Sequence, residues 1–242
     1  MRAIVCGANG AMGKLICQRL GDEVVAKVSI DAENGVPKTF AEVADIPADV
    51  IIDFSHHSAI PSVLFHAMHR RCAVVIGTTG HTMMEREGIE SAAETIPVFY
   101  SGNMSIGIAA LCKLAKQAAA MLPNADIEIV EIHHNRKVDA PSGTARMLFD
   151  AVQSARPELT ANCGRKGEGR REHDEVGISS LRMGNIVGVH EVHICTENQM
   201  LTLRHEALDR GMLADGAVDA ARFICGKLPG LYNMNMMLDQ MA

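Results

Sequence analysis

The sequence has no tryptophan, and aromatic residues fill only 3% of its 242 positions, so its core has to be built from aliphatic side chains. It also has no CxxC pair. The seven cysteines (Cys6, Cys17, Cys72, Cys112, Cys163, Cys195 and Cys225) are odd in number and scattered, which argues against a disulfide framework and against a zinc site. There is no excess of positive charge: the net charge of −6 rules out a global basic field that would gather nucleic acid. No apolar run is long enough to cross a bilayer. Arg2-Ala3-Ile4-Val5-Cys6-Gly7 lacks the basic leader and cleavage site of a signal peptide, so a reduced, cytoplasmic protein is expected. Internal repeats and low-complexity segments are missing too. What remains is a chain that is 48% hydrophobic, with a length between one large domain and two small ones and enough residues to bury a substantial core.

The first hundred residues alternate short apolar runs with helical patterns. Ala3 to Cys6 leads into Gly7-Ala8-Asn9-Gly10-Ala11-Met12-Gly13. A helical face of Met12, Ile16 and Leu20 follows, then a second apolar run from Val24 to Ile30, closed by Asp31. Strand, glycine-rich turn, helix, strand and acid is the order of a dinucleotide-binding βαβ unit. Gly7 and Gly10 let the backbone turn and approach a pyrophosphate, and Gly13 lets the helix lie against the strand. Asp31 lies close to the interval at which an acid meets the ribose hydroxyls. Val50 to Phe54, Ala73 to Ile76 and Pro97 to Tyr100 are further buried strands, separated by helices at 58–71 and 82–95. Continuous apolar strands between helices predict a doubly wound parallel sheet, an α/β fold of Rossmann type. Its ligand edge lies beyond the strand ends, where Gly77-Thr78-Thr79-Gly80 and Ser101-Gly102-Asn103-Met104-Ser105 fall.

After a long helix from Ile106 to Leu122 the pattern changes. Ile127 to His134 reads as a strand and Ser142 to Ala155 as a helix. The glycine-rich, charged residues 162–175 read as an exposed, mobile connection, with a lid over a substrate as the alternative. Gly177 to Met183, Ile186 to Thr196 and Gln199 to Glu206 read as antiparallel strands with one half-exposed face. His190 and His193 fall on opposite faces of the middle strand and are expected to be structural. The helix from Asp209 to Gly226 and the methionine-rich tail are expected to return to the first domain. Residues 1–105 and 213–242 would then form a discontinuous dinucleotide-binding domain. Residues 106–212 would form an α+β substrate-binding and oligomerisation domain with a mixed or antiparallel sheet.

Chemistry concentrates in Glu131-Ile132-His133-His134-Asn135-Arg136-Lys137-Val138-Asp139-Ala140-Pro141-Ser142-Gly143-Thr144-Ala145. Ser142 can cap a helix whose first N–H groups, at Gly143 and Thr144, would receive a carboxylate or phosphate. His133 and His134 point to opposite faces if the strand runs on, which argues against joint metal chelation but leaves one for acid–base work and one for an anion. Lys137 can hold or protonate a carbanion-like carbon. The bland alternative is a capped helix with no ligand.

These segments, together with Asp53-Phe54-Ser55, Ile186-Val187-Gly188-Val189-His190-Glu191 and Asp215-Gly216-Ala217, resemble the 4-hydroxy-tetrahydrodipicolinate reductase (dihydrodipicolinate reductase) family, in order, from residue 1 to about 230. The resemblance implies reduction of an unsaturated cyclic dicarboxylate on the route to diaminopimelate and lysine, by a homotetramer built through the second domain's sheet. It implies His133 as proton donor and acceptor and Lys137 as a second donor. Substrate contacts would be His134, Ser142, Gly143 and Thr144. Cofactor contacts would be Gly7, Ala8, Asn9, Gly10, Ala11, Met12, Asp31, Gly77, Thr78, Thr79, Ser101, Gly102, Asn103 and Met104. Ala32 follows Asp31 where some members carry an arginine that can hold a 2′-phosphate, and Asp31 would repel that phosphate. NADH is therefore the expected preference, with NADPH the alternative. Met104 stands where other members have phenylalanine. A reductase or dehydrogenase of a related amino or keto acid, and a non-catalytic NAD-binding sensor, are the competing functions.

Overall fold

The computed structural model describes residues 1–30 and 35–241. In chain order its first strands and helices are β1 (Ala3–Cys6), α1 (Ala11–Leu20), β2 (Val24–Val28), β3 (Val50–Asp53), α2 (Ile60–Arg70), β4 (Ala73–Ile76), α3 (Met83–Ala93) and β5 (Pro97–Tyr100). Then come α4 (Ile106–Met121), β6 (Asp126–His133), α5 (Gly143–Ala155), β7 (Thr160–Cys163), β8 (Glu175–Arg182), β9 (Gly188–Cys195) and β10 (Met200–Ala207). The chain closes with α6 (Gly211–Ile224), β11 (Gly230–Tyr232) and α7 (Met234–Met241). It divides into two compact units, Met1–Ser105 with Gly211–Ala242, and Ile106–Arg210.

The first unit is a six-stranded sheet in the order β11-β5-β4-β3-β1-β2. Every neighbouring pair is parallel. Both faces are covered, which is why the strands read as unbroken apolar runs. Ile4, Ile51, Val74 and Val98 pack with Ile60, Leu64 and Ile89 of α2 and α3. Val5, Ile52, Val75 and Phe99 alternate with them and are equally buried. Phe99 meets Phe223 of α6 edge-on at 6.0 Å. The α/β expectation therefore holds, with one addition. Gly230–Tyr232, which the sequence assigns to no element, is a strand that closes the β5 edge of the sheet. Helix α2 is preceded by a tight turn at His57–Ala59 and takes Pro61 in its first turn, where the missing N–H costs nothing.

In the second unit the sheet order is β10-β9-β6-β8-β7. Strand β6 alternates: Ile127, Ile129, Glu131 and His133 are buried and the residues between them are half-exposed, apart from the exposed first residue. Ile127 and Ile129 pack with Ile108, Leu111, Leu148 and Val152 of α4 and α5. The helices thus cover one face of the sheet. The antiparallel expectation fails for β8. Glu175–Arg182 runs parallel to β6, and so does β7 to β8, while β9 and β10 complete the antiparallel side. Gly184-Asn185 is consequently not a tight hairpin turn but part of a connection that carries the chain from one side of β6 to the other. The charged connection after β7 is shorter than expected, because Asn162 and Cys163 pair with β8. It is tied down as well: Arg171 donates to Asp126 at 2.7 Å, and Arg165 is ion-paired with Glu175.

Candidate active site

Strand order reverses between β1 and β3, since the chain goes from β1 outward to β2 and then returns to start the other half of the sheet. Crevices open beyond the strand ends at such a point. Two clefts lie there. One, of about 440 Å³, is lined by Cys6, Gly7, Gly10, Ser29, Phe54 and Ser55 among others. The second, of about 400 Å³, is lined by Ala11, Met12, Ser55, His56, Gly77, Thr78 and Thr79 among others.

The glycine loop is shaped by its backbone. Gly7 has φ +77°, and its N–H donates to Val28 O at 2.8 Å. Gly10 N–H donates to Gly7 O at 2.9 Å. A Cβ on Gly7 would run into the Phe54 carbonyl, and one on Gly13 into the Gly7 carbonyl. The loop therefore fits a dinucleotide in the way its glycines suggest: the main chain can approach a pyrophosphate closely, and the start of α1 points its positive end at it. Gly7, Gly10, Ala11, Met12, Gly77, Thr78 and Thr79 line the two clefts. Ala8, Asn9, Ser101, Gly102, Asn103 and Met104 line neither. The 101–105 segment nevertheless lies against the 77–80 loop, with Gly102 packed beside the Thr79 methyl, and Ser101 Oγ donates to Asn103 O at 2.6 Å. Met104 is buried, its carbonyl touching Gly216 of α6. Asp31 and Ala32 lie outside the described residues.

Beneath these loops Asp53 is fully buried. Its carboxylate accepts from Ser55 Oγ at 2.5 Å, from Ser55 N at 3.2 Å and from Thr78 Oγ1 at 2.7 Å, tying the loop after β3 to the loop after β4. Burial and the Asp53 charge push the Cys6 thiol up to about 12, so it stays protonated. His56, which drew no attention in the sequence, lines both clefts, and its Nδ1 accepts from Ser58 N.

The second unit gathers the central motif around Glu131. This side chain is fully buried. Its Oε2 meets His133 Nδ1 at 2.5 Å, and Arg182 donates to both oxygens, at 2.8 and 2.7 Å. Ser142 N–H donates to Oε1 at 3.1 Å. Burial alone would raise the Glu131 pKa, but the bonds from His133, Arg182, Ser180 and Ser142 outweigh it and hold the carboxyl well below the usual range. Ser142 caps α5, its Oγ accepting from Ala145 N at 3.1 Å, and lies 3.2 Å from His190 Nε2. His190 is buried 5.1 Å from the His133 ring, and burial followed by the His133 charge lowers it to about 4. Its Nδ1 has no protein partner.

The structure therefore brings His133 and Ser142 together through one carboxylate, with Gly143 immediately after at an open helix start where a Cβ would meet nothing. The Ala140–Pro141 peptide just before is cis. Thr144 is in the first turn of α5. Lys137 is held by Asp139 at 2.8 Å rather than by Glu131. The His134 backbone N–H donates to Ile186 O at 2.8 Å, and its ring Nδ1 is buried without a protein partner; desolvation and the cations Arg136 and Arg210 lower its pKa. Arg136 is exposed, its guanidinium on Asn185. Glu131 has no role assigned from the sequence, and His190, expected to be structural, lies beside His133 and Ser142. Glu131 carried a legible signal, since it shares the inward parity of Ile127, Ile129 and His133. Among the described residues no group of three or more His, Cys, Asp or Glu is placed to hold a metal, and no helix is long and apolar enough to cross a membrane.

Comparison with known proteins adds the lineage. Residues 1–104 match the model of the dihydrodipicolinate reductase N-terminus, and residues 107–238 that of its C-terminus. The chain is 44% identical to the 4-hydroxy-tetrahydrodipicolinate reductase of Caldanaerobacter subterraneus over 97% of its own length and 96% of that protein. It is 40% identical to the reductase of the same name from Alkaliphilus oremlandii over the full length of both. The dipicolinate-bound dihydrodipicolinate reductase of Paenisporosarcina sp. TG-14 has the same fold, with a TM-score of 0.80 at 23% identity over 96% of this chain and 97% of that one. With both halves matched and near-complete coverage, the chain belongs to the dihydrodipicolinate reductase family.

Proposed function

We propose that this chain reduces 4-hydroxy-tetrahydrodipicolinate to tetrahydrodipicolinate, with loss of water, using NADH or NADPH, in the cytoplasmic route to diaminopimelate and lysine. The observation that carries the reading is the buried clamp in which one carboxylate holds both His133 and the residue that opens α5. It places an imidazole next to a helix start suited to a substrate carboxylate, as a dicarboxylate reduction needs. A dinucleotide would be held by Gly7 to Met12, Gly77 to Thr79, Ser101 to Met104 and Asp31, and when bound it would supply the hydride delivered to C4. His134, Ser142, Gly143 and Thr144 hold carboxylates. His133 holds and moves a proton at its ring, and Lys137 supplies a second from Nζ for C3. NADH is the favoured partner.

The half-exposed sheet face carrying Val130, Ile132, Glu191 and His193 supports a homotetramer. Native mass spectrometry should give four times the chain mass, and a monomer at micromolar concentration would rule the tetramer out. Turnover is tested by following NADH and NADPH absorbance with substrate made in situ by the preceding synthase. Reduction with a higher kcat/KM for NADH is expected. Cofactor binding without turnover would turn the reading into that of an NAD-binding sensor, and a large NADPH advantage would overturn the cofactor preference alone.

A further inference from the structure

Glu131 is an unusual residue to find on the buried face of a strand. A lone carboxylate there would be strongly disfavoured, and this one receives four donor residues from three elements. His133 comes from its own strand, Arg182 from β8, Ser142 from the start of α5, and Ser180 again from β8. The simplest account is a structural ion pair joining β6 to β8, where His133 and Arg182 are register partners. Such a pair would need only Arg182 and Glu131. It leaves unexplained why the same oxygen that takes Arg182 also takes the ring nitrogen of the residue read as the proton carrier.

An ionised carboxylate can only accept, so the nitrogen facing it must carry hydrogen. We propose that Glu131 is the positioning residue of the proton-transfer site: it fixes His133 with hydrogen on Nδ1, leaves Nε2 as the atom that exchanges a proton with substrate, and is itself restrained by Arg182. The step balances without redox change. Nε2 gives a proton to the substrate or takes one from it, and the charge of the doubly protonated ring is met by the carboxylate.

Arg182 enters because its guanidinium, forked on both carboxylate oxygens, shares Glu131 with the ring and fixes where the carboxylate sits. It is anchored independently, donating to Asp139 O at 2.6 Å and to Leu181 O at 2.8 Å. Among the described residues the other titratable groups shown against His133 are His190 on β9 and His134 in the loop after β6, and Lys137 in that loop faces both of those rings. Neither substitution tested below touches them.

This inference rests on the reading of His133 as the proton carrier. The test compares the full-length enzyme with Glu131→Gln and Arg182→Met, reading kcat and KM against pH and the ring nitrogens of His133 by long-range 1H–15N correlation. In the unaltered protein the neutral ring should carry its hydrogen on Nδ1. Glu131→Gln should lower kcat at least tenfold with cofactor affinity within twofold, and move the limb of the pH profile set by the imidazole to lower pH. Arg182→Met should move that limb to higher pH. Shifts in the same direction, or none, would reduce Glu131 to a strand tie. Hydrogen on Nε2 in the unaltered enzyme would overturn the proposal even if neither variant folds. The spectrum needs no turnover, so an enzyme that binds NADH yet leaves the dicarboxylate unreduced would defeat the proposed function while the ring result stood on its own.

Discussion

Asp53 and Glu131 are both wholly buried near the end of a strand, one in each unit, and they are held in opposite ways. Asp53 is surrounded by neutral donors, the hydroxyls of Ser55 and Thr78 and a backbone N–H. Glu131 is surrounded by an arginine, a histidine and a backbone N–H. The first arrangement shapes main chain: two loops are tied together so that glycine backbone can face a ligand. The second shapes side chains: groups that carry protons are set at fixed distances. A site that recognises phosphates through backbone tolerates little added volume but is indifferent to most charges, and a site that moves protons has the converse sensitivity.

The largest expected consequence falls on the second unit and on acidity. His190 is neutral when folded, with its pKa depressed to about 4 from 6.5. Its contribution to stability is therefore complete above about 6.5 and lost as pH falls towards 4. At 1.36 kcal/mol per pKa unit the loss is about 3 kcal/mol. His66, His81 and His205, also lowered by burial, add to the slope in the same direction. Urea unfolding of the unaltered chain and of His190→Gln at pH 7 and pH 4.5 isolates the share due to His190, and the variant should have the flatter dependence. Parallel pH dependences would show that the buried histidine does not distinguish this unit. Glu131, held low, begins to lose its contribution only as pH falls through its ordinary value of 4.5, at the acid end of that measurement.

A smaller effect is expected in the first unit, and it should follow volume. Gly13→Ala pushes a methyl into the Gly7 carbonyl and should weaken NADH binding about 10- to 100-fold, or about 1.4 to 2.7 kcal/mol. Gly88→Ala, on α3, meets only the Leu64 side chain, at 3.9 Å, and should change affinity less than about twofold. Fluorescence titration of the cofactor reads both. Equal losses at the two glycines would mean that the loop does not work through backbone proximity.

These contrasts were unequally legible in the sequence. The parallel sheet of the first unit could be read, because strands buried on both faces lose their polar alternation and helices intervene. The direction of β8 could not, since alternation is the same whether a strand pairs parallel or antiparallel, and the Gly184-Asn185 turn suggested a hairpin. β11 was hidden in Gly230-Leu231-Tyr232, three residues after a proline with no periodicity to show. At the candidate site the cluster of His133, Lys137 and Ser142 stood out because it is local. The approach of His190 to Ser142 joins β9 to the start of α5, and no spacing in the chain reports a distance of that kind.

The pairing of β11 with β5 has a consequence for the order of synthesis. The strands β1 to β5 leave the ribosome early, yet β5 waits for its edge partner across residues 101–229, and the sheet face covered by α6 stays open until residues 211–224 emerge. The inserted unit is contiguous and has every one of its strands by residue 207. It is the part that can finish folding on the nascent chain, while the first unit remains an open sheet with exposed aliphatic surface until α6 and β11 close it.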